Sequence, residues 1–128
     1  MTHSLDDAAA EFYAALGAVL GGDAGPMLEL WSHEDDVSYM SPFGELLRGW
    51  EPIRASWTGQ AEAQLGGVVR GEELHLVEGD LLGFAVGFER GEVLVDGTPT
   101  PVDIRATSIF RREDGRWRMV GHHTDPLG

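Results

Sequence analysis

The stretch Arg105-Ala-Thr-Ser-Ile-Phe-Arg-Arg-Glu-Asp-Gly-Arg-Trp-Arg-Met-Val-Gly-His-His-Thr-Asp125 decides the fold. It reads as two long strands around a tight turn at Asp114-Gly115. Asp-Gly favours a two-residue hairpin loop, because both central residues of that loop need positive φ. With that loop, Glu113 sits opposite Arg116, Phe110 opposite Met119, Thr107 opposite His122 and Arg105 opposite Thr124. Side chains alternate along a strand. One face is therefore expected to carry Arg105, Thr107, Ile109, Val120, His122 and Thr124. The other is expected to carry Ala106, Ser108, Phe110, Met119 and His123, with Trp117 opposite Arg112. Both faces hold large apolar residues, so both are expected to be covered, one by a core or pocket and the other by a second subunit. A longer loop or a bulge exchanges His122 and His123 between the faces.

Working outward, three more strands and three helices can be read. Ser4-x-x-Asp7 has the form of a capping box. After it, Leu5, Ala9, Phe12, Leu16 and Val19 recur at helical spacing, until Gly21-Gly22 ends the run. Asp23 begins a short second helix, with Pro26 in its first turn and Met27, Leu28, Leu30 and Trp31 on its apolar side. A short strand, Val37 to Ser41, stops at Pro42 and Gly44. Trp50, Ile53, Trp57 and Ala61 mark a third helix, which Gly66-Gly67 breaks. Val68 to Val77 and Asp80 to Arg90 read as strands, ahead of the hairpin strands Pro101 to Arg112 and Arg116 to Thr124. In the second of these, Leu82, Phe84, Val86 and Phe88 alternate with Gly83, Ala85 and Gly87, which suggests a bent strand that something approaches closely. Helices first and strands last give an α+β fold, with a curved antiparallel sheet wrapped round the helices as a cone that can enclose a small-molecule site. The 128 residues fit one domain, 1–128.

Composition narrows the function. The net charge is −13, and no Lys or Arg precedes Arg48 while nine acids do. Such a surface repels nucleic acid and anionic membranes. No apolar run approaches the roughly 18 residues of a membrane span, and the N-terminus has no signal-peptide pattern, so a cytoplasmic location is expected. Without cysteine there is no disulfide, thiolate nucleophile or thiolate metal site. Without lysine there is no Schiff base. The absence of both Lys and Asn suggests a GC-rich, bacterial genome.

Three segments resemble the nuclear transport factor 2-like superfamily, which includes ketosteroid isomerase, SnoaL-like polyketide cyclases and the association domain of calcium/calmodulin-dependent kinase II. The first is Phe12-Tyr-Ala-Ala-Leu16 with Gly22-Asp-Ala-Gly-Pro-Met27 and Leu30-Trp31. The second is Asp36-Val-Ser-Tyr-Met-Ser-Pro-Phe-Gly44 with Gly49-Trp-Glu-Pro-Ile-Arg-Ala-Ser-Trp57. The third is Arg111-Arg-Glu-Asp-Gly-Arg-Trp-Arg-Met-Val120 with His123. SnoaL-like proteins are the nearest branch. The resemblance implies a cone-shaped α+β barrel, often dimeric through the sheet, with no cofactor and no single activity. It places Ser41 where ketosteroid isomerase has its general base and Thr107 where that enzyme has its protonated Asp. Its first-helix tyrosine corresponds to Tyr13, at a different spacing from Gly22-Asp23. Ordinary isomerisation by that mechanism is therefore not expected.

The candidate catalytic groups are His122 and His123, one of which should face the pocket, since histidine is the natural acid–base group near neutral pH. The residue pattern puts His122 beside Thr107 and Arg105, whereas the resemblance favours His123. A histidine that merely hydrogen-bonds within a packed sheet is the plain alternative. Arg105 could hold a carboxylate or phosphate, or could pair with Asp103. Tyr13, Tyr39 and Trp57 are candidate pocket walls or plain core, and Ser41 shares strand parity with Tyr39. His33-Glu-Asp-Asp36 is contiguous, so its side chains do not converge as metal ligands, and no metal is expected. Two functions stand. One is a small enzyme or binder for an apolar or aromatic metabolite, with cofactor-free isomerase, cyclase or dehydratase chemistry. The other is a non-catalytic ligand-binding or homodimeric association module, motivated by Phe110, Met119 and Trp117 on one strand face.

Overall fold

The computed structural model describes residues 3–42 and 44–126. Its elements run α1 (Leu5–Leu20), α2 (Gly25–Leu30), β1 (Ser38–Met40), β2 (Leu46–Arg48), α3 (Trp50–Ala63), β3 (Gly67–Glu78), β4 (Leu82–Val95), β5 (Thr98–Glu113) and β6 (Arg116–Pro126). The capping box forms: Asp7 N donates to Ser4 Oγ at 3.0 Å, and Ser4 N donates to the Asp7 carboxylate at 3.2 Å. Gly21 caps the far end of α1. Asp23 accepts from Gly25 N at 2.9 Å just ahead of α2, but the N-cap of that helix is Ala24 and not the expected Asp23. Phe43, within the Ser41–Gly44 motif, lies outside the described residues.

The strands form one six-stranded sheet in the order β2-β1-β6-β5-β4-β3. β1 runs parallel to β6, and the other neighbours are antiparallel. The sheet is therefore mixed, not wholly antiparallel as expected. It is also open rather than a closed barrel, because β2 and β3 lie at opposite edges without pairing to each other. β2, only three residues long, gave no alternation to read in the sequence. β4 and β5 extend past their expected limits because Asp96 and Gly97, both with positive φ (50° and 78°), make a second tight turn.

The inner face of the sheet meets α1 on the small residues of β4. A Cβ on Gly83 would lie 3.0 Å from Leu5 Cδ2, so the glycine lets helix and strand approach. The core gathers Phe12 and Val19 from α1, Met27 from α2, Ile53 and Trp57 from α3, and Phe110, Trp117 and Met119 from the sheet. The last three are at most 1 % exposed, so they belong to the core and not to a surface facing a second subunit.

The hairpin turn is as expected, with φ of 52° at Asp114 and 78° at Gly115. The pairing holds from Glu113↔Arg116 to Phe110↔Met119, and then slips. A bulge pairs Ile109 with Gly121, which sets Ser108 opposite His122, Thr107 opposite His123 and Arg105 opposite Asp125. One extra residue in a strand moves every later side chain to the other face. The expected sharing of one face by Arg105, Thr107 and His122 is therefore corrected. His122 joins the inner face, while Arg105, Thr107 and His123 go to the outer one.

Candidate functional site

The bulge brings polar groups into the core. His122 is 2 % exposed, and its ring lies 4.4 Å from that of Phe12 on α1. Its Nδ1 is 2.8 Å from Ser108 Oγ on the neighbouring strand, and its Nε2 is 2.9 Å from Glu89 Oε2 on β4. The same Glu89 oxygen accepts a hydrogen bond from the Tyr13 hydroxyl of α1 at 3.1 Å. Glu89 is only 4 % exposed. A buried carboxylate needs such donors, because burial strips it of water. With Glu89 ionised and His122 neutral, Nε2–H donates to the carboxylate and the Ser108 hydroxyl donates to Nδ1. A protonated ring donates from both nitrogens.

Aromatic rings close over this network. Tyr39 on β1 stacks on Trp57 of α3 at 4.8 Å, and its ring centre is 6.2 Å from that of His122. The Tyr39 hydroxyl accepts from Gln60 at 3.2 Å, leaving its own proton to donate. Burial pushes the Tyr39 phenol up to about 12. Tyr13 is raised as well, first by burial and then by the Glu89 charge. The Trp57 indole N–H is buried without a hydrogen-bond partner among the described residues, as are those of Trp31 and Trp117. Tyr13 alone among these aromatics is half-buried, and its ring packs so tightly on Gly71 that a Cβ there would fall 2.4 Å from it. Tyr13 therefore stands at the rim of the cluster, between α1 and β3.

Of the residues singled out from the sequence, Tyr13, Tyr39, Trp57 and His122 converge on the inner face. Arg105, Thr107 and His123 line an open groove of about 610 Å³ on the outer face, with Val86, Phe88 and Glu73. His123 Nε2 contacts Ser38 Oγ at 2.9 Å, and burial followed by its neighbour His122 pushes its pKa down. Arg105 pairs with Asp125 and Asp103 with Arg90, so the expected Asp103–Arg105 pair does not form. Ser41 lies just beyond β1, half-buried, where its carbonyl accepts from Gly44 N at 3.1 Å. Asp36 is clamped by Arg111 at 2.6 and 3.1 Å, which lowers its pKa and ties the start of β1 to β5.

Glu89, Ser108 and Gln60 were missed. Glu89 had a signal: it continues the Gly83, Ala85, Gly87 parity of β4 and so belongs to the inner face. Gln60 follows Trp57 by three positions, one turn along the same side of α3. Ser108 needed the bulge, for which Gly121 inside a strand is the mark.

Ser108, His122 and Glu89 share the order of contacts of a hydrolase triad, which is recognised by geometry. Ser108, however, is 4 % exposed in mid-strand, and its strand is laddered on both sides. Its strand neighbours are committed to the two ladders, and its hydroxyl is held against the His122 imidazole. A carboxylate in contact with an imidazole is chemically able to pass a proton, and Tyr13 stands at the outer end of this pair.

Solved structures share the fold. A protein from Thiobacillus denitrificans, assigned as a calcium/calmodulin-dependent protein kinase type II association domain, is 28 % identical with a TM-score of 0.82, covering 100 % of this chain and 98 % of its own. A protein from Streptomyces avermitilis, assigned as a dehydratase of the NTF2-like family, is 21 % identical with a TM-score of 0.82, covering 94 % and 91 %. One from Shewanella frigidimarina, assigned as a ketosteroid isomerase, is 14 % identical with a TM-score of 0.73, covering 93 % and 92 %. No curated protein matches the sequence. The SnoaL-like domain model matches residues 6–125, nearly the whole chain, and the protein belongs to that family.

Proposed function

We propose that this protein binds a small apolar or aromatic molecule on the inner side of its sheet and moves a proton there without a cofactor. The observation that carries this reading is the buried Glu89–His122 contact at 2.9 Å, shared with the Tyr13 hydroxyl. A ligand enters at the rim as the Tyr13 ring swings away from Gly71. Its displacement frees one hydrogen-bonding site on Glu89. The carboxylate then takes a proton from a carbon next to a carbonyl, and His122 spreads the charge change to Ser108. Tyr39 and Tyr13, both held as neutral phenols, donate to the oxygen that gains charge. Return of the proton at another carbon is isomerisation, and its delivery to a departing hydroxyl is dehydration. The family and the neighbour assigned as a dehydratase fit this chemistry.

The test is a library of cyclic and aromatic carbonyl compounds, read by the NMR signals of the Trp57 indole and the His122 ring, followed by deuterium uptake from solvent into each binder. Binders should shift both signals, and Glu89→Gln should slow uptake by about 100-fold or more. Ligands that move only Thr107 and His123 signals would contradict the reading.

The second reading, association, is carried by the outer face. Val77, Leu82 and Val86 are 40 %, 55 % and 39 % exposed, and with Phe84 and Ile109 they line an apolar hollow of about 580 Å³. A patch of this kind marks an interaction surface. We propose that it joins two copies of the chain, in keeping with the 28 % identity to the association-domain structure. Sedimentation should give a dimer that Val86→Asp converts to monomer. A wild-type monomer at micromolar concentration would contradict it.

A further inference from the structure

The inner site has an unusual charge inventory. Its one carboxylate, Glu89, has Tyr13 and His122 as its polar partners, and neither is a permanent cation. The chain has no lysine, and its nine basic side chains are all arginines. None of those guanidiniums pairs with Glu89. Arg105, the residue expected from the sequence to grip an anion, is 59 % exposed on the opposite face and engaged by Asp125. Arg90, on the same strand as Glu89, points outward to Glu73 and Asp103.

We infer that the ligand of the inner site carries no negative charge: it is a neutral or cationic organic molecule, and carboxylates and phosphates are rejected. The inference deepens the proposed function and rests on it. It holds in either protonation state of the pair. With His122 neutral the site bears the negative charge of Glu89. With His122 protonated the two charges cancel, and no surplus positive charge is left for an anion. An anion entering beside Phe12, Tyr39 and Trp57 would lose its hydration without gaining a counterion, and the two like charges would repel strongly in so dry a setting. A neutral carbonyl or hydroxyl finds donors in the Tyr13 and Tyr39 hydroxyls. A cation finds Glu89 and the faces of the aromatic rings. The exterior acts in the same direction, because a net charge of −13 lowers the local concentration of anions.

The test uses three ligands of one shape: 2-naphthamide, 2-naphthylmethylammonium and 2-naphthoate. Each is titrated at neutral pH into protein carrying nitrogen-15 at its tryptophan indoles, with the Trp57 signal assigned through Trp57→Phe. The amide and the ammonium should move that signal, with dissociation constants at least about tenfold lower than that of the naphthoate. In Glu89→Gln the gap should narrow to about threefold or less. Naphthoate binding to the wild type as tightly as the amide overturns the charge rule while leaving the inner site standing. Failure of all three to move the Trp57 signal overturns the site itself. The wild-type series decides both points even if Glu89→Gln does not fold.

Discussion

His122 and His123 are neighbours in sequence and identical in chemistry, yet they live in different media. His122 is 2 % exposed, wedged between Phe12, Ser108 and Glu89. His123 faces an open groove with Ser38 as its partner. The same division runs along the whole hairpin. Ala106, Ser108, Phe110 and Met119 are buried on the inner face, whereas Arg105 and Asp125 form an exposed ion pair on the outer one. The inner face combines dry surroundings with polar groups that satisfy one another, as buried polar groups must. The outer face combines apolar side chains with solvated charges, which is the composition of a contact surface. One extra residue in β6, Val120 between the paired Met119 and Gly121, decides which histidine faces the core.

This contrast can be broken by substitution, and urea unfolding orders the expected effects. Trp57→Ala should be the most costly at about 4 kcal/mol, because it opens a cavity under Tyr39. His122→Ala should cost about 3 kcal/mol, since it leaves the buried Glu89 carboxylate short of a partner. Tyr39→Phe should cost about 1 kcal/mol through its lost contact with Gln60. On the outer face, His123→Ala should stay below about 1 kcal/mol, and Arg105→Ala should not register. A reversed order for the two histidines would place the bulge elsewhere.

Acid sharpens the contrast. The folded state holds the pKa of His123 below its usual 6.5, so folding favours the neutral ring. Its contribution to stability is therefore complete above pH 6.5 and is lost as the pH falls from 6.5 toward the lower folded value. Wild type should lose slightly more stability than His123→Ala over that interval. An equal loss in both would show that His123 is as solvated as in the unfolded chain.

Much of this architecture was legible in the residues. The capping box, the Asp114-Gly115 turn, the helical spacing of Trp50, Ile53 and Trp57 and the small-residue face of β4 each act locally, and each appears where the sequence puts it. The inner aromatic set Tyr13, Tyr39 and Trp57 followed from the resemblance and the periodicity together. What escaped was long-range. Pairing of β1 with β6 joins segments far apart in the chain, and no local pattern encodes its parallel sense. The bulge costs one residue of register in exchange for burying His122, a balance set by packing against Phe12 and Glu89 and not by the hairpin itself. Hence the local pattern puts His122 on one face with Arg105 and Thr107, and points to Phe110, Met119 and Trp117 as a surface for a partner.

The chain has only two tyrosines, Tyr13 and Tyr39, and both belong to the inner network. An ultraviolet titration of tyrosinate therefore reports on that network alone. Tyr39 holds its proton to about 12 when folded, against 10.0 for the free phenol, and Tyr13 is raised too. The stability that comes from keeping both phenols neutral is complete below pH 10 and drains away as the pH climbs toward 12. The native protein should show no tyrosinate at about pH 10.5, where the urea-unfolded chain is more than half ionised. A native tyrosine ionising near pH 10 would mean that a phenol is solvated, and the buried carboxylate–imidazole site would not stand.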